Sequence, residues 1–251
     1  MNACCAAASY FVVQSISEVN LSNAGPLLRG ESEQIAHWIE KWEGRRFGYC
    51  LGAVVVGSSL FGAALGAWRS PLQALYSGLK FPLVILLTTT GTALLNGMLA
   101  PLLGLNLKFR QSMLIILFSY TIAALILGGF SSILLFIVLN VPPVQGASSS
   151  AAWVCFSLVR VMVVGLIAFA GILANVRLRQ LLVHLSGSLA VSRRLLFGWL
   201  AANLFLGAQI SWLLRPFIGS PEKPIEFLRQ NAFAGNFYET VFLALKSLFN
   251  S

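Results

Sequence analysis

The stretch SMLIILFSYTIAALILGGFSSILLFIVLNV, residues 112–141, decides the fold. It runs for 30 residues without a charged side chain. As a straight helix it would measure about 45 Å, against a hydrocarbon slab of about 30 Å. It must therefore tilt or break in a bilayer. Gly128-Gly129 followed by Ser131-Ser132 is the expected kink, because glycine adds backbone freedom and serine can satisfy a freed carbonyl.

Four further apolar runs flank this one, at about 48–68, 81–103, 153–175 and 195–214. The composition agrees: of 251 residues 57% are apolar and 10% charged, with a mean hydropathy of +0.81, where a soluble domain carries about a quarter charged residues. Disorder, collagen and disulfide scaffolds are excluded. The expected fold is all-α, a polytopic transmembrane helical bundle of about five spans with amphipathic interfacial helices at both ends. Three parts follow: a cytoplasmic segment 1–47, the membrane domain 48–214, and an extracytoplasmic tail 215–251.

The segments between the runs suit membrane interfaces. Ile35, Trp38, Ile39 and Trp42 recur at i, i+3, i+4, i+7 with Glu31, Glu33, Glu40, Lys41 and Glu43 opposite, which predicts an amphipathic surface helix closed by Arg45 and Arg46. Residues 72–80 read as a short interfacial helix starting at Pro71, with Gln73, Tyr76 and Lys80 as its polar edge. Residues 176–194 carry Arg177, Arg179, Arg193 and Arg194 beside apolar residues and read as a cytoplasmic interfacial segment. In the tail, Phe237, Val241, Phe242, Leu245, Leu248 and Phe249 predict a second amphipathic helix.

Net charge is +9, from 17 Lys and Arg against 8 Glu, with no Asp. With the N-terminus inside, the inner segments hold ten of these cations and the outer segments six, namely Arg69, Lys80, Arg215, Lys223, Arg229 and Lys246. Arg160 is left within the membrane. That count and the uncharged loop at 142–152 favour N-in, C-out. The cations are scattered rather than gathered on an aromatic-lined face, so nucleic acid is not an expected partner; the bilayer and its anionic lipids are. No cleaved signal peptide is evident in the first 24 residues, which lack a basic start.

No carboxylate occurs between Glu43 and Glu222, so the acidic machinery usual in pumps and cation-coupled carriers is missing. Arg160 is the candidate intramembrane charge. It either snorkels to the outer headgroups, pairs with Glu222, Glu226 or Glu239 of a folded-back tail, or holds an anion or lipid phosphate. Thr88, Thr92 and Asn96, at i, i+4, i+8, form a candidate polar stripe to which Asn203 of the last span is added; such stripes bond helices together or line pores. Gly48, Gly52, Gly62 and Gly66 make two GxxxG pairs. They form a candidate packing face within the chain or between copies, unless they reflect only the general glycine content of membrane helices.

No catalytic residue, cofactor site or metal site is expected. His37 and His184 stand apart from any nucleophile and acid, and Cys4, Cys5, Cys50 and Cys155 lack metal or disulfide spacing. No P-loop, GxSxG, HExxH or dinucleotide motif occurs.

Three segments, SPLQALYSGLKFPL (70–83), LGLNLKFRQ (103–111) and above all GAQISWLLRPFIGSPEKP (207–224) continuing to NFYE (236–239), resemble a family of uncharacterised bacterial multi-pass inner-membrane proteins. The likeness covers roughly residues 50–240, with LRPFIGSP its most specific part. The KFRQ turn followed by SMLIILFSY is similar to the Yip1-type five-span membrane fold, without the acidic Asp-Leu-Tyr-Gly-Pro signature that precedes those spans. The resemblance implies a fold and a compartment, the bacterial inner membrane. Together these readings lead us to expect a non-enzymatic subunit or scaffold of a membrane complex, working as a homo-oligomer or with another membrane protein. The alternatives are an ion channel or small-solute carrier, anion-preferring because the membrane domain is cationic, and a lipid-binding membrane protein.

Overall fold

A computed structural model describes residues 29, 32–40, 44–102, 108–141, 150–218, 225–229, 231–233 and 235–239. The described residues hold six helices and no strand: α1 (Ser32–Glu40), α2 (Gly44–Ala67), α3 (Pro71–Leu102), α4 (Phe109–Asn140), α5 (Ser150–Ser186) and α6 (Leu189–Leu214). Helices α2 to α6 are each long and apolar enough to cross a membrane. That is the architecture of an integral membrane protein, in which every backbone polar group of a span is satisfied inside its own helix.

Helix α2 packs against both α3 and α4, α6 packs against α3 and α5, and α5 packs against α4. One core cluster joins Val54, Leu114, Ile115, Leu117, Leu182, Leu195 and Trp199; the other joins Phe61, Leu65, Trp68, Leu134, Val138 and Val159. Large apolar side chains also face outward along the spans, among them Phe197 at 76% and Val161 and Leu204 at 70% exposure. In water such a surface would drive association, whereas acyl chains accept it.

Several interfacial segments expected from the sequence are absorbed into longer helices. Residues 72–80 are the first turns of α3, not a separate surface helix, because Gln73, Ser77 and Lys80 find protein partners and are fully buried. Helix α5 continues through Arg177 and Arg179 to Ser186, and Gly187, at φ +62°, turns the chain into α6. The left-handed backbone of Gly187 ends α5 as a glycine after a helix commonly does. Helix α4 runs unbroken through Gly128-Gly129. There a Cβ on Gly128 would lie 3.0 Å from the Cα of Gly57, so this glycine serves close packing. The N-terminal amphipathic helix docks on the protein: α1 lies against α4 and α5, with Ile35 and Ile39 buried and the Trp38 ring 6.4 Å from that of Phe118. Trp42, Cys4, Cys5, the loop 142–149 and residues 240–251, with most of the predicted tail helix, lie outside the described residues.

Candidate functional site

Where α2 turns into α3, a strip of buried polar groups runs into the membrane domain. Gln73, Ser77 and Lys80 follow i, i+4, i+7 on one face of α3, each fully buried. Their partners are carbonyl groups just beyond α6. Gln73 Nε2 donates to Phe217 O at 2.7 Å, the Ser77 hydroxyl donates to the same oxygen, and Lys80 Nζ donates to Pro216 O at 2.6 Å. Arg69 Nη1 reaches Ile218 O at 3.4 Å. The Arg215–Pro216 peptide is cis. The chain leaving α6 is thus held by its backbone against the first turns of α3.

Burying an ammonium group costs several kcal/mol unless it is well bonded. Besides the Pro216 carbonyl, Lys80 has the faces of Phe227 at 5.0 Å and Phe217 at 6.0 Å, contacts that favour a cation. Aromatic pairs complete the seat: Phe81 with Phe217 at 5.3 Å and Tyr76 with Phe227 at 5.4 Å between centroids. Nearby, Arg215 and Arg229 both lie over the Trp212 ring. Burial, and secondarily the like charge of Arg229, lower the Arg215 guanidinium pKa below its ordinary value. Among the described residues, the buried Nε atoms of Arg215 and Arg229 have no hydrogen-bond acceptor.

The tail continues alongside α6. Tyr238 donates its hydroxyl to Phe205 O at 2.7 Å and stacks on the Phe205 ring at 5.0 Å, while the Phe237 amide donates to Gln209 Oε1 at 3.2 Å. Of the acids expected to answer Arg160, Glu226 is half-buried and Glu239 exposed, and Glu222 lies outside the described residues; Arg160 itself is on the exposed surface of α5.

The polar stripe faces α6 and α4. Thr88, Thr92 and Asn96 are buried on α3. Thr92 Oγ1 donates to Asn203 Oδ1 at 2.7 Å, and the Tyr120 hydroxyl reaches the same oxygen at 3.3 Å, so one amide joins three helices. Thr88 Oγ1 and both polar atoms of the Asn96 side chain have no partner among the described residues.

The glycine face divides in two. A Cβ on Gly62 would fall 2.5 Å from the Ser77 carbonyl oxygen, and one on Gly66 would collide with the backbone of Gln73 and Ala74, so this pair brings α2 against α3. At Gly48 and Gly52, and at Gly44 one turn earlier, an added Cβ would meet nothing within 4 Å among the described residues.

The Lys80 strip is the feature that sequence reasoning missed. Its signal was present in the i, i+4, i+7 spacing of Gln73, Ser77 and Lys80, but a polar edge on a presumed surface helix concealed it. Among the described residues no three of His, Cys, Asp and Glu gather where a metal could sit; Cys50 is buried and Cys155 half-buried. No family model matches the chain, and no curated protein and no solved structure matches it.

Proposed function

We propose that the chain is a non-enzymatic integral membrane protein that acts as a subunit of a homo-oligomer, joined to its neighbour through α2. The observation that carries this reading is the divided glycine face. Gly57, Gly62 and Gly66 are taken up by α4 and α3, whereas Gly44, Gly48 and Gly52 present bare backbone outward beside exposed Val55 and Val56. Lipid tails are as apolar as leucine, so helices in a bilayer associate through close van der Waals contact and not by escape from water. A glycine in a helix costs about 1 kcal/mol relative to alanine. Three of them at i, i+4, i+8 meet no neighbour among the described residues and suit a second helix laid against them.

The resemblance to the bacterial inner-membrane family supplies the compartment. N-in orientation is supported by the exposure of the cations. Arg45, Lys108, Arg110, Arg179, Arg193 and Arg194 are exposed at the end formed by the starts of α2 and α4 and the α5–α6 joint, whereas Arg69 and Lys80 are buried toward the other end. Freely exposed Lys and Arg mark cytoplasmic loops.

The test is the protein mass of the particle purified in an uncharged detergent. At least two 27.1 kDa chains per particle are expected. Gly48→Leu with Gly52→Leu should reduce this to one, while Gly165→Leu, also in open space, should leave it unchanged. A wild-type particle of one chain, or a double variant that keeps the wild-type mass, would overturn the proposal.

A further inference from the structure

The α5–α6 joint carries a second feature, which does not depend on the α2 face. A groove of about 760 Å³ opens there, lined by Arg179 of α5 and by Ala190, Arg193, Arg194, Phe197 and Leu200 of α6. All three arginines are exposed. No acid stands on either helix, because the sequence holds none from residue 44 to 221. Ala190, in the first turn of α6, is part of the groove's wall. The first-turn amides of a helix have no acceptor within it, and Ser188, the residue at the cap, makes no side-chain bond to them. Three arginines line one concavity together with Ala190 of the first turn of α6, whose amides are uncapped, and both features favour an anion with several oxygens, as a phosphate has.

The groove is graded along its length. Arg193 and Arg194 lie in the second turn of α6 and Arg179 enters from the last turns of α5, while Phe197, 76% exposed, and Leu200 follow one to two turns beyond Arg193 along α6, about 6–10 Å deeper into the apolar zone. An inorganic ion would use only the upper part. A phospholipid would use both, its phosphate on the arginines and the start of its acyl chains against Phe197 and Leu200. The volume falls within the range of small-molecule sites, about 300–1,000 Å³.

We infer that the Arg179–Arg193–Arg194 groove is a binding site for the phosphate group of an anionic membrane phospholipid. The shared chemistry is the phosphate, and the apolar lower half assigns it to a lipid. The test titrates the full chain, in uncharged detergent, with phosphatidylglycerol, phosphatidylcholine and inorganic phosphate, and reads adducts by native mass spectrometry. Phosphatidylglycerol should bind about tenfold more tightly than phosphatidylcholine, and Arg193→Ala with Arg194→Ala should abolish that preference. Arg179→Gln should weaken binding about threefold or more, and Phe197→Ser should weaken the lipid and leave inorganic phosphate unaffected. Lys108→Ala, at an exposed cation of the same end, should change nothing. The substituted side chains are exposed, and an unchanged unfolding temperature without lipid verifies that the variants fold. Wild-type affinity in the double arginine variant would overturn the site. An equal loss in Lys108→Ala would replace it with diffuse surface charge. Displacement of the lipid by inorganic phosphate at matched concentration, with Phe197→Ser silent, would overturn the lipid and leave a free phosphate.

Discussion

The α2–α3 and α5–α6 hairpins are built from similar amounts of apolar sequence and differ in what they touch. In the most apolar stretch of α2, 56% of residues are buried within the protein, against 22% in α5 and 11% in α6. The first hairpin closes on itself through glycines, and its buried polar strip receives the chain beyond α6. The second leaves bulky side chains outward, with Arg177, Arg179, Arg193 and Arg194 near its joint. In a bilayer the two differ little in hydrophobic stabilisation, because lipid and protein interior are equally apolar. The difference lies in shape: backbone contact between α2 and α3 and hydrogen bonds to the chain beyond α6 hold the first hairpin, and the membrane itself accommodates the second.

Three sets of substitutions would break or sharpen that contrast. The largest effect should come from Gly66→Leu, whose side chain must displace the α3 backbone. A loss of about 3 kcal/mol or more is expected, seen as a lower unfolding temperature in detergent, whereas Gly171→Leu in α5, open within 4 Å, should leave that temperature almost unmoved. If both glycines tolerate leucine equally, the contrast is lost. Next is Gln73→Leu, which removes a donor from the Phe217 carbonyl while keeping side-chain volume. About 1–2 kcal/mol of tail docking should be lost, read as roughly tenfold faster trypsin cleavage after Arg229. Unchanged cleavage would mean that Ser77 and Lys80 suffice to hold the tail. The smallest is Thr92→Val, which breaks one bond to Asn203. In membrane proteins such bonds average about 0.6 kcal/mol, so the unfolding temperature should fall only slightly, and a fall as large as that of Gly66→Leu would give the stripe a different role.

Much of the fold was legible in the chain because lipid imposes one strong demand, long uncharged runs, and residues 112–141 meet it without ambiguity. Helix ends were less legible. Residues 72–80 and 176–194 contain polar groups that suit a headgroup layer, and composition cannot distinguish that layer from a buried partner. Gln73 and Lys80 became part of a span only because carbonyls more than a hundred positions away receive them. The Thr92–Asn203 pairing was half visible, as a period-four stripe on one helix and an isolated amide on another. Of the four glycines singled out, the spacing was the same in both pairs. Whether Gly48 or Gly62 faces a neighbour depends on how α2 is rotated within the bundle, and a repeat of four carries no information about that.

The contact between Lys80 and Pro216 spans 136 positions of chain. A ribosome making this protein therefore delivers α3 long before the segment whose carbonyls receive its buried polar side chains. Until Pro216 emerges, the Lys80 ammonium lacks the carbonyl that receives it in the folded protein, and a lysine within a span is disfavoured by up to about 2.5–3.5 kcal/mol, the value at the helix centre.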